Sequence, residues 1–522
     1  MLGSPFKKSV FLADLPAALV VYLVALPLCL GIAVGSGAPP FAGIVAGMVG
    51  GIVVGLLSGS HLSVSGPAAG LTSVVMVGIA TSPTYESFLL SIVLAGLLQI
   101  ALGKWKAGVI GEFIPSAVIK GMMAAIGLIL IMKQAQHLVG YDKDFEGDEG
   151  FEQAGGENTF TGLQHALENI TPGAALIGFV SIGILMLWEI PWFKKNRFTS
   201  AIPASLVAVV FGTSLNYFWM STQSAWVIFP EHLVSIPVAT SAIDFFSFFT
   251  FPDFTAIGSQ VVWINAATIC AIASIESLLG LEAVDKMDPK RRISPPNKEL
   301  VAQGVGNTLS GLLGGLPITS VVVRSSANLQ AGAKSRMSTV YHGIFLLLSV
   351  VLIPDLLNYI PLATLAAVLI FVGFKLTKIS IYKEMYQQGF NQFLPFVVTV
   401  IAIIGSNLLK GVVIGILVGV YFIIRTNFTT TVRLVQDGDH FLLRFGKQVT
   451  FLNKAILKKH LTSIADGSKV LIDDTQTSFM DPDIVEIMRD FSVNIRNKDI
   501  RVTLKKNGRL RDSSIDFFPP TL

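Results

Sequence analysis

Arg324 and Glu276 stand inside stretches of the chain that otherwise carry no charge. A charge held at the centre of a bilayer is costly and usually serves a pathway or a partner. The planar donors of Arg324 suit an oxyanion. Glu276, with Ser277 beside it, has three readings that do not exclude one another. It can take up a proton once desolvation raises its pKa, hold Na⁺ with nearby hydroxyls and carbonyls, or pair with Arg324. Lys120 also falls in an apolar run, but nearer an end, where snorkelling accounts for it. Glu282 and Asp285 are read as structural.

The segments around the candidate groups have an unusual grammar. His61–Gly70 contains Ser63, Ser65, Gly66, Pro67, Ala68 and Ala69, and Leu316–Asn328 contains Pro317, Thr319, Ser320, Val323, Arg324 and Ser325. Both are short of apolar length and rich in Ser, Thr, Gly or Pro. If each is an extended stretch leading into a half-helix, two helix N-termini face one another at mid-membrane. Their free N–H groups and positive dipole ends favour an anion there. The plainer reading of Gly66-Pro67 is a kinked helix. The pattern repeats: Gly50–Gly59 resembles Gly306–Gly315 at an offset of 256, which pairs Ala68 with Arg324. Seven spans per half invert the second half, and inverted repeats place a substrate site between broken helices near the midplane.

Composition demands the membrane. Of 522 residues, 52% are hydrophobic and 14% charged, against about a quarter charged in soluble domains. This excludes a soluble enzyme, a disordered chain and, with Cys29 and Cys270 alone, a disulfide scaffold. Spans are expected from Leu15–Gly35 through Val412–Ile424, about 14 in all. The weaker ones lie at Leu62–Ala80, Lys298–Leu313, Val321–Gln330 and Leu362–Val372. Residues 431–522 carry 27 charges in 92 residues, the composition of a soluble domain. The expected division is therefore a transmembrane domain, 1–430, and a cytoplasmic domain, 431–522.

Lys7, Lys8, Lys104, Lys106, Lys194, Lys195, Arg197, Lys286, Lys290, Arg291 and Arg292 fall in alternate loops. The opposite loops are acidic, with Asp142, Asp144, Glu146, Asp148 and Glu149, or free of Lys and Arg, as in Tyr217–Gln260. Lys133 and Lys410 are exceptions. The positive-inside rule then places both termini in the cytoplasm. Gly43, Gly47, Gly51, Gly55 and Gly59 leave one helix face bare for close packing. No catalytic or metal-ligand constellation and no Walker sequence is present. The net charge of +4 reflects loops and tail, and nucleic acid is not an expected partner.

Asn297–Asn307, Gly314–Pro317 and Arg324–Asn328, with Asp14–Ala18, Ala25–Pro27 and Ser65–Pro67, resemble the sulfate permease (SulP) family of anion transporters. The resemblance implies a 7+7 inverted repeat, a core domain moving against a gate domain, and an anion between the third and tenth spans. Arg324 matches the tenth-span arginine of many members. Glu276 matches the eighth-span acid tied to H⁺ or Na⁺ coupling in some. The chain departs from the family at Leu28, Ile32, Ala68 and Val323, where many relatives are polar, aromatic or larger. Backbone N–H groups and Arg324 are then left with more of the binding.

The tail resembles a STAS domain. Phe441–Phe445 and Lys469–Ile472 read as strands, Ile484–Phe491 as a helix with Asp483 in its first turn, and Arg509–Leu522 as a loose end. Pro482-Asp483 stands where phosphorylated relatives carry serine, so phosphoswitching is not expected. The tail's expected role is dimerisation or regulation.

The function expected is secondary active transport of sulfate or bicarbonate, as H⁺- or Na⁺-coupled symport with an elevator-like motion. The alternatives are an anion exchanger or a channel of the same fold. No cofactor is expected, and no bound metal beyond a Na⁺ near Glu276. The expected partners are the anion, the bilayer and a second copy in a homodimer. The expected location is a plasma membrane, the bacterial inner membrane.

Overall fold

The computed structural model describes residues 8–512 except 149, 153–155, 196–201, 240, 496–497 and 507–508. Lys7, Glu149, Arg197 and residues 513–522 thus lie outside the described residues. The chain forms two compact units, Met1–Ile416 and Leu417–Leu522.

Fourteen helical segments correspond one to one with the expected spans. They are α1 Lys8–Gly35, α2 Pro40–Leu57, α3 Ala69–Thr81, α4 Tyr85–Lys104, α5 Ser116–Leu138, α6 Pro172–Glu189 and α7 Ala204–Ser221 in the first half. The second half has α8 Gln260–Met287, α9 Pro296–Leu312, α10 Val322–Gln330, α11 Met337–Leu352, α12 Leu362–Leu376, α13 Phe390–Ile404 and α14 Leu408–Thr430. Among the described residues nine helical spans are long and apolar enough to cross a membrane, α12 counting only together with the helix after it as Leu362–Gln387, and the last beginning at Leu408. The shortest, α10, has only nine residues. Its missing length is supplied by an extended stretch, as is that of α3.

Local chemistry sets several boundaries. Pro40 opens α2 at a position where no N–H is needed. Thr84 caps α4, its hydroxyl accepting from the Ser87 N–H at 3.2 Å, with Glu86 in the first turn. A π-helical turn at Gly50–Val54 interrupts α2. The glycine face of α2 packs as expected. A Cβ on Gly43 would stand 1.8 Å from the Cys29 carbonyl oxygen of α1, and one on Gly51 2.7 Å from the Gly343 Cα of α11. Only hydrogen fits between these backbones.

Two apolar clusters organise the first unit. One joins Leu26, Ile44, Phe88, Ile269 and Leu346, from α1, α2, α4, α8 and α11. The other joins Ile119, Ile126, Leu369, Phe396 and Leu408, from α5, α12, α13 and α14, and reaches Val322 and Val323 of α10.

Two lysines have partners that the sequence did not suggest. Lys120 reaches Glu384 at 2.7 Å rather than simply snorkelling. Lys133 is buried and ion-paired to Asp144 and Asp148 of the acidic loop after α5, so its place among the cation-poor loops follows from its carboxylates.

The second unit contains a five-stranded sheet: β3 Val432–Asp437, β4 His440–Phe445, β5 Lys469–Asp473, β6 Arg501–Lys506 and β7 Arg509–Asp512. Sheet order follows chain order. The two central pairings are parallel and the outer two antiparallel. Helices α15 Lys454–Thr462 and α16 Pro482–Asn494 supply Leu457, Ile484 and Met488 to a core with Phe441, Leu443, Ile472 and Leu504. This α/β arrangement fits a STAS domain. Arg509–Asp512 is an edge strand, not part of a loose end. It pairs with Thr503–Lys506 of β6, which its charged sequence concealed.

Candidate binding site where two half-helices meet

The two interrupted segments meet as an antiparallel pair. β1, Ser65–Pro67, bonds to β2, Ile318–Ser320, in the register Ser65↔Ser320, Gly66↔Thr319, Pro67↔Ile318. Antiparallel pairing is the direction an inverted repeat requires. Ala68 and Val321 are extended residues (φ −121° and −97°) that cap the helices beyond them. Structurally equivalent caps are therefore 253 residues apart, three fewer than the offset relating α2 to α9. Ala68 corresponds to Val321, and Arg324 lies three residues further into its helix.

A stripe on α9 holds the strands in place. Glu299, Gln303, Asn307 and Ser310 recur at helical spacing and are all buried without exposure. Asn307 reads the backbone of Ile318 twice: its Oδ1 accepts from the N–H at 2.5 Å and its Nδ2 donates to the carbonyl at 3.0 Å. Ser310 donates to the Leu316 carbonyl at 2.6 Å. Gln303 donates to Ser65 Oγ at 2.7 Å and to Glu299 at 2.8 Å, and Ser58 donates to Glu299. Gln99 of α4 accepts from Asn307 at 2.6 Å and donates to Ser274 of α8 at 3.2 Å. Across the strands, Ser63 and Ser320 share a hydroxyl contact at 2.6 Å, and Val64 N–H donates to Ser325 Oγ at 2.9 Å. Short extended segments inside an apolar bundle need such partners for their peptide groups. Three of the four lay within the Asn297–Asn307 stretch, where the i, i+4, i+8 spacing of Glu299, Gln303 and Asn307 was a readable signal.

A cavity of about 20 Å³ lies at the helix caps, room for roughly one water. Its lining includes Ala68, Ala69, Glu276, Ser320, Val321 and Val323 on one side, and Met122, Ile126 and Leu408 on the other. The structure thus brings Ala68, Ala69, Val323 and Glu276 together. The Glu276 carboxylate lies over the start of α3, where a Cβ on Gly70 would stand 2.9 Å from its Oε1. Ser277 is buried and its Oγ accepts from the Ser320 N–H at 3.4 Å. Ser65, Gly66, Pro67 and Ser325 form the supporting layer and are not among the lining residues. Met122, Ile126 and Leu408 carry no polar signal, and nothing in their sequence singled them out.

Arg324 is fully buried but is not among the lining residues. Its side chain runs back against β1. Nη2 donates to the Pro67 carbonyl at 3.3 Å, while Nε and Nη1 have no partner in good hydrogen-bond geometry among the described residues. Cys29 of α1 and His342 of α11 lie beside it. The guanidinium therefore adds positive charge behind the strands and turns one carbonyl dipole away from the caps.

The sequence and fold can now be set beside known proteins. The bicarbonate transporter BicA of Picosynechococcus is 28% identical over 382 residues, 72% of this chain and 63% of that protein. A sodium-independent sulfate anion transporter of Bos taurus is 25% identical over 513 residues, 92% of this chain and 81% of that one. The murine Solute Carrier 26 family member A9 anion transporter, solved in the inward-facing state, superposes with a TM-score of 0.65 at 16% identity, covering 96% of this chain and 86% of that one. This last likeness concerns the fold alone. The model of the sulfate permease family matches residues 11–401, which include both half-helices and the stripe that supports them, and the chain belongs to that family.

Proposed function

We propose that this protein carries a small inorganic oxyanion, sulfate or bicarbonate, across a plasma membrane by secondary active transport. The observation that carries the reading is the antiparallel β1–β2 pair, which aims the N-termini of α3 and α10 at one cavity. The N–H groups following Ala68 and Val321 supply the anion's hydrogen bonds, and Arg324 supplies charge from behind them. The names of the relatives, a bicarbonate transporter and a sulfate transporter, support the substrate class.

Glu276 couples the anion to H⁺ or Na⁺ in this reading, since its carboxylate shares the cavity with the helix caps. An anion and an ionised carboxylate repel at that range, so neutralising Glu276 favours loading. The cavity lies between the half-helix caps and an apolar wall of Met122, Ile126 and Leu408 from α5 and α14, which suits an elevator-like displacement of one against the other. The C-terminal unit acts in dimerisation or regulation.

The test is uptake of labelled sulfate and labelled bicarbonate into proteoliposomes, with and without an inward H⁺ or Na⁺ gradient, repeated with Glu276→Gln. Gradient-driven uptake of one anion, lost in Glu276→Gln, is the expected result. Uptake that ignores both gradients and survives the substitution would replace symport with exchange or a channel.

A further inference from the structure

The loop that follows α5 carries Asp142, Asp144, Glu146 and Asp148, and sets Asp142, Asp144 and Asp148 against basic side chains. Lys133 lies seven residues beyond Ile126 of the cavity wall, about 10 Å further along α5 at 1.5 Å per residue. Its Nζ is 2.9 Å from Asp144 Oδ2 and 2.6 Å from Asp148 Oδ2, with the lysine side chain only 4% exposed. One turn further, His137 Nδ1 is 2.6 Å from Asp142 Oδ1, and His232 Nδ1 is 2.6 Å from the other oxygen of the same carboxylate.

The tip of the loop is built into the opposite wall. A Cβ on Gly31 of α1 would stand 1.9 Å from the Glu146 carbonyl oxygen, and one on Gly35 would stand 2.3 Å from the Phe145 ring. Gly147, at φ +92°, turns the chain against Leu28 and Ile32. Glu146 is 6% exposed, with Gln134 beside it, and among the described residues neither carboxylate oxygen has a partner in good hydrogen-bond geometry. A buried carboxylate so poorly satisfied is costly, so this is a position the loop can give up. The loop bridges two helices, since Lys133 belongs to α5 and Gly31 to α1. Displacing α5 against α1 must pull the tip from its seat.

We infer that this loop is a tethered anion: its carboxylates occupy an outer cationic site, built on Lys133, that an inorganic oxyanion takes when the loop withdraws. The inference rests on the reading that the cavity below is the anion site. With the loop docked, Lys133 is neutralised and the path above Ile126 is filled. With the loop withdrawn, a buried ammonium is left needing a counter-charge, and an oxyanion arriving on that side supplies it.

The test uses the purified full-length protein and reads the melting temperature against sodium sulfate and against sodium bicarbonate, with sodium gluconate at matched ionic strength. Asp144→Asn/Asp148→Asn is expected to gain anion-dependent stabilisation with at least about fivefold tighter half-saturation than wild type. Adding Lys133→Met is expected to remove the gain. Gly31→Ala unseats the tip without touching a charge and is expected to reproduce it. If the double variant does not fold, Asp144→Asn alone, which removes the other carboxylate from Lys133, carries the same comparison with Gly31→Ala. An anion response equal to wild type in these variants, or a gain that persists in Lys133→Met, would overturn the inference. The readout is binding and not transport. Lys133-dependent stabilisation without labelled uptake would therefore sink the transport reading and leave the outer site standing.

Discussion

Gly66 and Arg324 fit together as backbone and guanidinium: a Cβ added to Gly66 would stand 2.0 Å from Nη1. The contact occupies the centre of the strand pair, since Gly66 faces Thr319 across the register. Gly66→Ala must displace either the strand or the arginine. Uptake is expected to fall at least tenfold, with the full-length protein still folded by size exclusion. Wild-type uptake would mean that the geometry behind the caps is dispensable.

Arg324→Met separates function from stability. A buried charge with two unsatisfied donor atoms is a burden on folding, and an apolar side chain of similar length relieves it. Uptake is expected to drop by an order of magnitude or more while the melting temperature holds or rises. A large loss of stability would instead make the arginine a structural pillar.

Asn307→Ala strips both partners from Ile318. Leaving a buried N–H and a buried C=O unpaired costs roughly 2–5 kcal/mol in all. The expected readout is lower thermal stability together with lost uptake, and Asn307→Asp should rescue neither fully because it cannot donate to the carbonyl. Unchanged hydrogen exchange at residues 318–320 would contradict this.

The pH on the side of the acidic loop should set how firmly that loop is docked. Burial pushes Asp148 up to about 6 and raises Glu146 well above the carboxylate range, while the hydrogen bond to Asp142 raises His232. Burial works against ionised Asp142, but His137 and His232 hold it below the usual range. Tyr141, Lys143, Glu157 and His165 complete the charged surroundings on the loop and the helix after it, with Glu231 beside His232. A group whose pKa is higher docked than free binds its proton more tightly when docked. Its contribution is full below the free value and is lost as pH rises through the docked one. For Asp148 that window runs from about 4 to about 6, and His232 extends it above its ordinary value. Asp142 acts in the opposite sense only in acid. Hydrogen-exchange protection of residues 142–148, corrected for intrinsic rates, is expected to fall as pH rises from about 4 through about 6, and to go on falling above the ordinary histidine value. Asp148→Asn should flatten the lower part of that change. Protection that grows with pH would reverse the sign.

The architecture was readable because membrane spans are written in composition, and the broken segments announced themselves by Ser, Gly and Pro where apolar residues should continue. What escaped was direction. Arg324 was visible as a charge, but which way it pointed depended on a register three residues shorter than the helix repeat. Glu299, Gln303 and Asn307 carried a helical period that the surrounding family resemblance overshadowed. The apolar wall of Met122, Ile126 and Leu408 carried no signal, since such residues look alike in every span. In the tail, β4, β5 and α16 followed from apolar runs. The edge strands β3 and β7 did not, because an edge exposes enough of its length to be charged.

The donors aimed at the cavity belong to the main chain, and this has a genetic consequence. A peptide N–H is common to every residue but proline, so ordinary substitutions at Ala69 or Val323 reshape the pocket without deleting a ligand. Inactivating missense changes should therefore concentrate one layer back, at Gly66, Gln303, Asn307 and Arg324, where side-chain identity holds the backbone in position. On the proposed reading of the site, relatives can then diverge at the pocket surface, altering which anion fits, while the main-chain donors are inherited intact.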